Sequence, residues 1–162
     1  MTNWRAIEVK VLVTVAMLYS LVACAPENRS TGSFQTLPVN KGWSRAMPLV
    51  FEPEYGDSSA TYDIVVAVRH TNEYGYSNLP LVVDLIADSS KIARRVPVEV
   101  NVADEFGNWK GTGFGSLYQC RALVAESVSP LQAHKVVVWQ AMADTALINN
   151  ITEVGVIVNV HK

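Results

Sequence analysis

Apolar and polar residues alternate with a period of two along most of this chain. Residues 61–70, TYDIVVAVRH, send Tyr62, Ile64, Val66 and Val68 to one side and Asp63, Val65, Ala67 and Arg69 to the other. That period is the mark of an extended strand, and apolar residues on both sides of its middle predict a central one. Residues 79–87 repeat the pattern with Leu79, Leu81, Val83 and Leu85. Residues 95–103 place Val96, Val98, Val100 and Val102 inward and Pro97, Glu99 and Asn101 outward. Pro97 has no N–H to give a ladder, so its strand is expected at an edge or at a bulge. Residues 117–125, 135–142 and 152–160 supply three more strands, and 34–39 and 48–51 two shorter ones. No stretch carries the 3.6-residue apolar period of a helix, and residues 144–149 are the one candidate for a helical turn. About eight strands separated by turn-rich segments predict an all-β fold, an antiparallel β-sandwich.

The first residues follow a different rule. Arg5 and Lys10 precede an apolar run from Val11 to Ala23 that is broken by Thr14, Tyr19 and Ser20. A charged start followed by a short apolar run is the layout of a secretory signal, although Glu8 sits among the basic residues. The run falls short of the roughly 20 apolar residues that cross a bilayer. It closes on Leu21-Val22-Ala23-Cys24, the form of a bacterial lipobox, in which lipid is joined to the cysteine sulfur and cleavage makes Cys24 the new N-terminus. Residues 1–23 are therefore read as a cleaved signal peptide, and residues 24–33, polar and rich in turn formers, as the lipidated N-terminus and a tether. Residues 34–162 form the sandwich domain. Cleavage leaves 139 of the 162 residues, enough for one packed domain.

Composition narrows the chemistry. A net charge of −2 gives no basic face for nucleic acid. With Cys24 committed to lipid, Cys120 has no disulfide partner in the chain and, within YQCRALVA, reads as a small core residue. His70, His134 and His161 have no ligand spacing, so neither a metal nor a cofactor is expected. The run Gly107-x3-Gly111-x-Gly113-x-Gly115 is neither a phosphate loop nor a dinucleotide fingerprint. In an extended segment, Gly111, Gly113 and Gly115 open one face to an approaching backbone or ring, with Trp109 or Tyr118 as candidates. Asp104 and Glu105 read as a solvated turn. Asp63 and Arg69 share a face but lie about 20 Å apart at strand rise, so each needs a partner on another strand. Trp43, Trp109, Trp139 and the tyrosines could form a sugar-stacking surface, with Trp139 expected in the core. No catalytic constellation emerges, and the chain is not expected to be an enzyme.

One ordered set of residues carries a resemblance. Tyr62-Asp63-Ile64 and Arg69 are followed by Tyr74, Tyr76 and Asn78-Leu79, then by Gly107-x-Trp109-x-Gly111-x-Gly113-x-Gly115. Gln140-Ala141-Met142 and Val154-Gly155-Val156 close the series. Together with the lipobox, this order resembles the GldH gliding-motility lipoprotein family of the Bacteroidota, from about Phe51 to the end. Ala143-Asp144 departs from it, standing where the family pattern carries an arginine. The resemblance implies a non-enzymatic, membrane-anchored component of the gliding machinery, whose core is shared with type IX secretion. Its implied partners are the membrane, through acylated Cys24, and other gliding or secretion lipoproteins and membrane proteins. Arg69, Tyr74, Tyr76, Asn78, Trp109, Gly111, Gly113 and Gly115 become the candidate structural or contact residues. Ala-Pro-Glu-Asn-Arg-Ser after Cys24 lacks a dense acidic cluster, which points to the periplasmic side of the outer membrane. Asp144-Thr145-Ala146 resembles a short O-glycosylation signal of these bacteria. The alternative function is a lipid-anchored carbohydrate-binding module, favoured if the aromatics share one exposed flat face.

The lipobox makes a direct prediction. Cys24→Ala should abolish incorporation of labelled fatty acid and leave an uncleaved precursor on a gel; normal acylation and processing of that variant would contradict the motif.

Overall fold

The structure, a computed structural model, describes residues 30–38, 41–87 and 90–162. The signal segment and Cys24 lie outside the described residues. Eleven strands are described: β1 Ser30–Thr36, β2 Trp43–Ser44, β3 Leu49–Phe51, β4 Tyr62–Thr71, β5 Asn78–Ile86, β6 Ile92–Asn101, β7 Thr112–Phe114, β8 Leu117–Val128, β9 Lys135–Gln140, β10 Leu147–Ile148 and β11 Ile151–Val160. They form a five-stranded sheet in the order β1-β11-β4-β8-β7, a four-stranded sheet β3-β9-β5-β6, and a short pair β10-β2. Every pairing is antiparallel. The two large sheets pack face to face, as the all-β reading expected.

The core follows from parity. In β4, Tyr62, Ile64, Val66 and Val68 are buried, and the register sets Val158, Val156 and Val154 of β11 beside Ile64, Val66 and Val68. Leu79, Leu81, Val83 and Leu85 of β5, Val98 and Val100 of β6, and Val136 and Val138 of β9 belong to the same core. Each such side chain contributes about 1.5–3 kcal/mol on leaving water, so this layer dominates the stability. β4 lies in the middle of its sheet, and Pro97 lies on β6, an edge strand whose ladder partner is β5. The proline's missing N–H therefore interrupts no inner ladder.

Three local readings change. The first strand begins at Ser30 and takes in Ser30, Thr31, Gly32 and Ser33, which composition assigned to the tether; they pair with Asn159, Val158, Ile157 and Val156. Backbone pairing on a sheet edge asks little of side chains, so their polarity hid the strand. Residues 144–149 form no helical turn: Leu147 and Ile148 pair with Ser44 and Trp43. The Arg45 guanidinium donates to the carbonyls of Met142, Ala143 and Thr145, acceptors that a helix would need. Trp139 faces outward, because Val136, Val138 and Gln140 take the inward positions of β9. Gln140 is admitted to the interior because its amide donates to the Ala146 carbonyl at 3.1 Å and accepts from the Met142 N–H at 2.9 Å.

Trp139 instead helps to cover a carboxylate. Asp84 lies on the outer face of β5 yet is buried, receiving Arg95 Nε at 2.6 Å, Arg95 Nη2 at 2.7 Å and the Trp139 indole N–H at 3.2 Å. The Arg95 hydrogen bonds hold the carboxyl below its usual range, with the Arg95 charge and the Trp139 bond adding to the effect while burial opposes it. A folded-state pKa below the unfolded one stabilises the fold above the unfolded value, and that stabilisation is lost as pH falls through the folded one. Asp84→Asn should therefore lower stability by about 1 kcal/mol at pH 7. In paired urea melts, the gap to wild type should close below about pH 4. A gap independent of pH would mean that packing, not charge, holds Asp84.

Candidate functional site

The strands give the sandwich two poles. Ser30, the end of β11, the start of β4 and the end of β8 meet at one pole, since Ser30 pairs with Asn159 and Tyr62 with both Val160 and Val128. The other pole holds the end of β4, the start of β5, the end of β6 and the β7–β8 hairpin. Most of the candidate residues gather at this second pole, around a buried histidine.

His70 follows Val68 in the inward series of β4 and is fully buried. Its ring lies 4.8 Å from Trp109, 5.6 Å from Tyr74 and 5.7 Å from Tyr118, centroid to centroid, with the Tyr118 ring nearly parallel. Nδ1 lies 2.9 Å from the Thr71 carbonyl, which can only accept, so Nδ1 carries the proton and Nε2 is left as an acceptor. Nε2 sits 4.0 Å from Cys120 Sγ, and the thiol donates to the Lys110 carbonyl at 3.2 Å. Burial holds His70 below its ordinary value, with the Thr71 carbonyl opposing, and burial pushes the Cys120 thiol up, with Lys110 opposing. Both shifts favour neutral forms, the reverse of a thiolate–imidazolium nucleophile. The box is built to pack.

The glycine run wraps this box. A side chain on Gly111, where φ is +85°, would strike the Gln119 carbonyl and Cys120 Sγ. At Gly113 the Tyr118 ring lies 2.7 Å from where a Cβ would stand. Gly115, with φ at +62°, opens the two-residue turn into β8. Tyr74 donates its hydroxyl to the Asn78 carbonyl at 3.0 Å, and Asn78 Nδ2 reaches Glu99 at 2.7 Å. Burial, reinforced by Tyr76, raises the Tyr74 pKa. Tyr76 packs on Tyr74 at 5.5 Å and remains partly exposed.

Arg69 stands apart. It points to the outer face of the five-stranded sheet, pairs with Glu153, donates to Gln119 Oε1 at 2.9 Å and covers the Phe34 ring at 4.7 Å. Phe34 in turn lies across Gly155. An open groove of about 380 Å³ runs past Arg69, Thr112, Phe114, Leu117 and Gln119. Asp63 also finds its partners on other strands, accepting from the Ser127 N–H at 3.1 Å and meeting His161 Nδ1 at 2.6 Å. Asp104 organises its own turn by accepting the Phe106 and Asn108 N–H groups at 2.9 and 2.8 Å. The Asn108 side chain, first among these contacts, lowers its pKa. Among the described residues the three tryptophans share no face: Trp43 is buried and donates to the Met47 carbonyl, Trp109 packs at a tilt against His70, and Trp139 covers Asp84. Among the described residues, no three His, Cys, Asp or Glu side chains converge to hold a metal.

The profile of the GldH lipoprotein family matches residues 31–158, from the first strand almost to the end of the last. The chain belongs to that family. A "Gliding motility lipoprotein GldH homolog" of Christiangramia forsetii is 28% identical over 120 residues, covering 73% of this chain and 74% of the relative. The "Gliding motility lipoprotein GldH" of Flavobacterium johnsoniae is 27% identical over 123 residues, covering 72% and 77%. Among solved structures, the coat protein of Tobacco streak virus covers 86% of this chain and 90% of its own at 7% identity and a TM-score of 0.34, a likeness that carries no argument. In this chain, the residue that the sequence pattern left out of the site is His70, whereas Tyr118, one of the two rings expected over the glycines, lies against Gly113. The signal was parity, since His70 continues the buried series of Tyr62, Ile64, Val66 and Val68.

Gly111→Ala tests the box. The new methyl meets backbone rather than a movable side chain, and φ is positive, so overpacking of about 1–3 kcal/mol adds to backbone strain. Thermal melts should show a loss of several degrees, and an unchanged melting temperature would mean that the segment repacks freely.

Proposed function

We propose that this protein is a non-enzymatic component of the gliding-motility and type IX secretion-associated envelope machinery. It is lipid-anchored through Cys24 on the periplasmic side of the outer membrane and works by binding other envelope proteins. The observation that carries this reading is family membership across residues 31–158, whose curated members are named for gliding motility. The lipobox supports the anchor, and the segment after Cys24 supports the periplasmic side. The neutral His70–Cys120 pair and the structural duties of Asp63, Asp84 and Asp104 support action without chemistry. Separation of the tryptophans weighs against the carbohydrate-binding alternative, which needs a shared platform.

In a gliding source strain, deletion of the gene should impair spreading on agar, and wild type should restore it. Cys24→Ala, at matched abundance on immunoblots, should fail to restore it. Full spreading by the deletion strain would overturn the gliding role, and full rescue by Cys24→Ala would overturn the need for the anchor.

A further inference from the structure

Among the described residues, the two large apolar side chains most open to water stand at the same pole. Phe106 is 83% exposed at the tip of the 104–108 turn, and Phe114 is 94% exposed at the tip of the β7–β8 hairpin. The two tips rise beside the His70 box: Trp109 follows the first and pairs with Ala103, while Tyr118 follows the second. Leu117 and Tyr76 extend the apolar surface. Both tips are held in place. Asp104 fastens the first through three hydrogen bonds, and the Asn72 N–H donates to the Ser116 carbonyl at 2.9 Å to fasten the second. Rigid, exposed aromatics of this kind make contacts with little ordering loss. Two exposed carboxylates accompany them, Glu105 next to Phe106 and Glu73 next to Asn72, and neither has a salt-bridge partner among the described residues, whereas Asp104 and the exposed Lys110 at the same pole offset each other.

What covers this surface follows from reach and charge. From Cys24 to Ser30 the chain has six residue steps, at most about 20 Å. Ser30 enters at the opposite pole, and the ten residues of β4 between the poles span about 30 Å. The segment ahead of Ser30 in the mature chain therefore cannot fold back over Phe106 and Phe114. The same short reach keeps the Ser30 pole toward the bilayer. Laying the aromatic pole on that bilayer would also press Glu73 and Glu105 against lipid phosphates, a like-charge contact. A protein with basic side chains around an apolar recess meets neither obstacle.

We propose that the pole formed by Phe106, Phe114, Glu73 and Glu105 is the docking surface for a protein partner that presents apolar recesses rimmed by lysine or arginine. The proposal rests on the anchored reading of Cys24 and supplies the contact chemistry which that reading leaves open. The partner reads the two aromatic tips, and the carboxylates orient it. The sandwich serves as a spacer about 30 Å long between lipid and partner.

The test uses the full lipoprotein in its own membranes. Gentle solubilisation and native electrophoresis should show it in a complex larger than the free lipoprotein. Phe106→Ser with Phe114→Ser, and separately Glu73→Lys with Glu105→Lys, should each reduce that complex at least about tenfold at unchanged abundance. A photo-crosslinking residue placed at 106 or 114 should yield one protein adduct, lost in the Glu73→Lys, Glu105→Lys background. An undiminished complex in both double variants, a wild-type protein running free, an adduct to lipid or an adduct to a second copy would each overturn the proposal. The intact mass of the mature protein from the same preparation tests the anchor separately: an unacylated N-terminus would overturn the Cys24 reading whatever the complex does.

Discussion

The register of β4 against β11 and β8 is the constraint on which the rest depends. Val68 beside Val154 and Cys120, and Val66 beside Val156, commit one side of the five-stranded sheet to the interior. A slip of one residue would send Asp63, Arg69 and Glu153 inward, where their charges would lose water without gaining partners. The outer-face partners therefore reinforce the register that the valines favour: Arg69 with Glu153 and Gln119, and Asp63 with His161 and Ser127. Phe34 lying across Gly155 carries the same register to β1 at the sheet edge.

That register also decides what His70 can be. Two residues beyond Val68 on the inward side, it must be buried, and an imidazole there must be neutral and supplied with partners. The Thr71 carbonyl takes one nitrogen, and the rings of Tyr74, Trp109 and Tyr118 enclose the rest. Trp109 and Tyr118 come from the segments on either side of β7, so they can approach only if that strand lets them pass. Gly113 does so for the Tyr118 ring, while Gly111 makes room for the Gln119 carbonyl and Cys120 Sγ. The glycine run and the aromatic residues close the box together, and the Asp104 turn and the Asn72–Ser116 hydrogen bond beside it fix the two tips that bear Phe106 and Phe114.

Strand parity made the six long strands and the central place of β4 legible from residue order alone, and Pro97 marked β6 for an edge or a bulge. The close approach at Gly113 was legible as a glycine in an extended segment, but the expected common face of three glycines was not found: Gly111 and Gly115 have positive φ, and nothing lies within 4 Å of a Cβ on Gly115. β7 and β10 were not legible: at three and two residues they carry no period, and pairing creates them, with β8 across a tight turn for β7 and with the distant β2 for β10. Trp139 was misplaced because size argued for the core while parity, with Gln140 satisfied inside, argued against it. Arg45 gave no warning that it would bind the 142–145 carbonyls, since no local pattern encodes a contact nearly a hundred residues away. The aromatic pole could not be assembled from spacing, since its parts come from 70–78, 102–109 and 112–118.

A sandwich that enters its sheet at one pole and carries its open aromatics at the other is suited to hold a partner at a set distance from a lipid surface. Energy transfer to headgroup-labelled lipid measures this directly, using the mature lipoprotein in vesicles with a donor on Gln132→Cys at the Ser30 pole or on Ser116→Cys at the aromatic pole. Transfer should be strong from position 132 and weak from 116, as a separation of about 30 Å requires. Equal transfer from both positions, or stronger transfer from 116, would contradict the account.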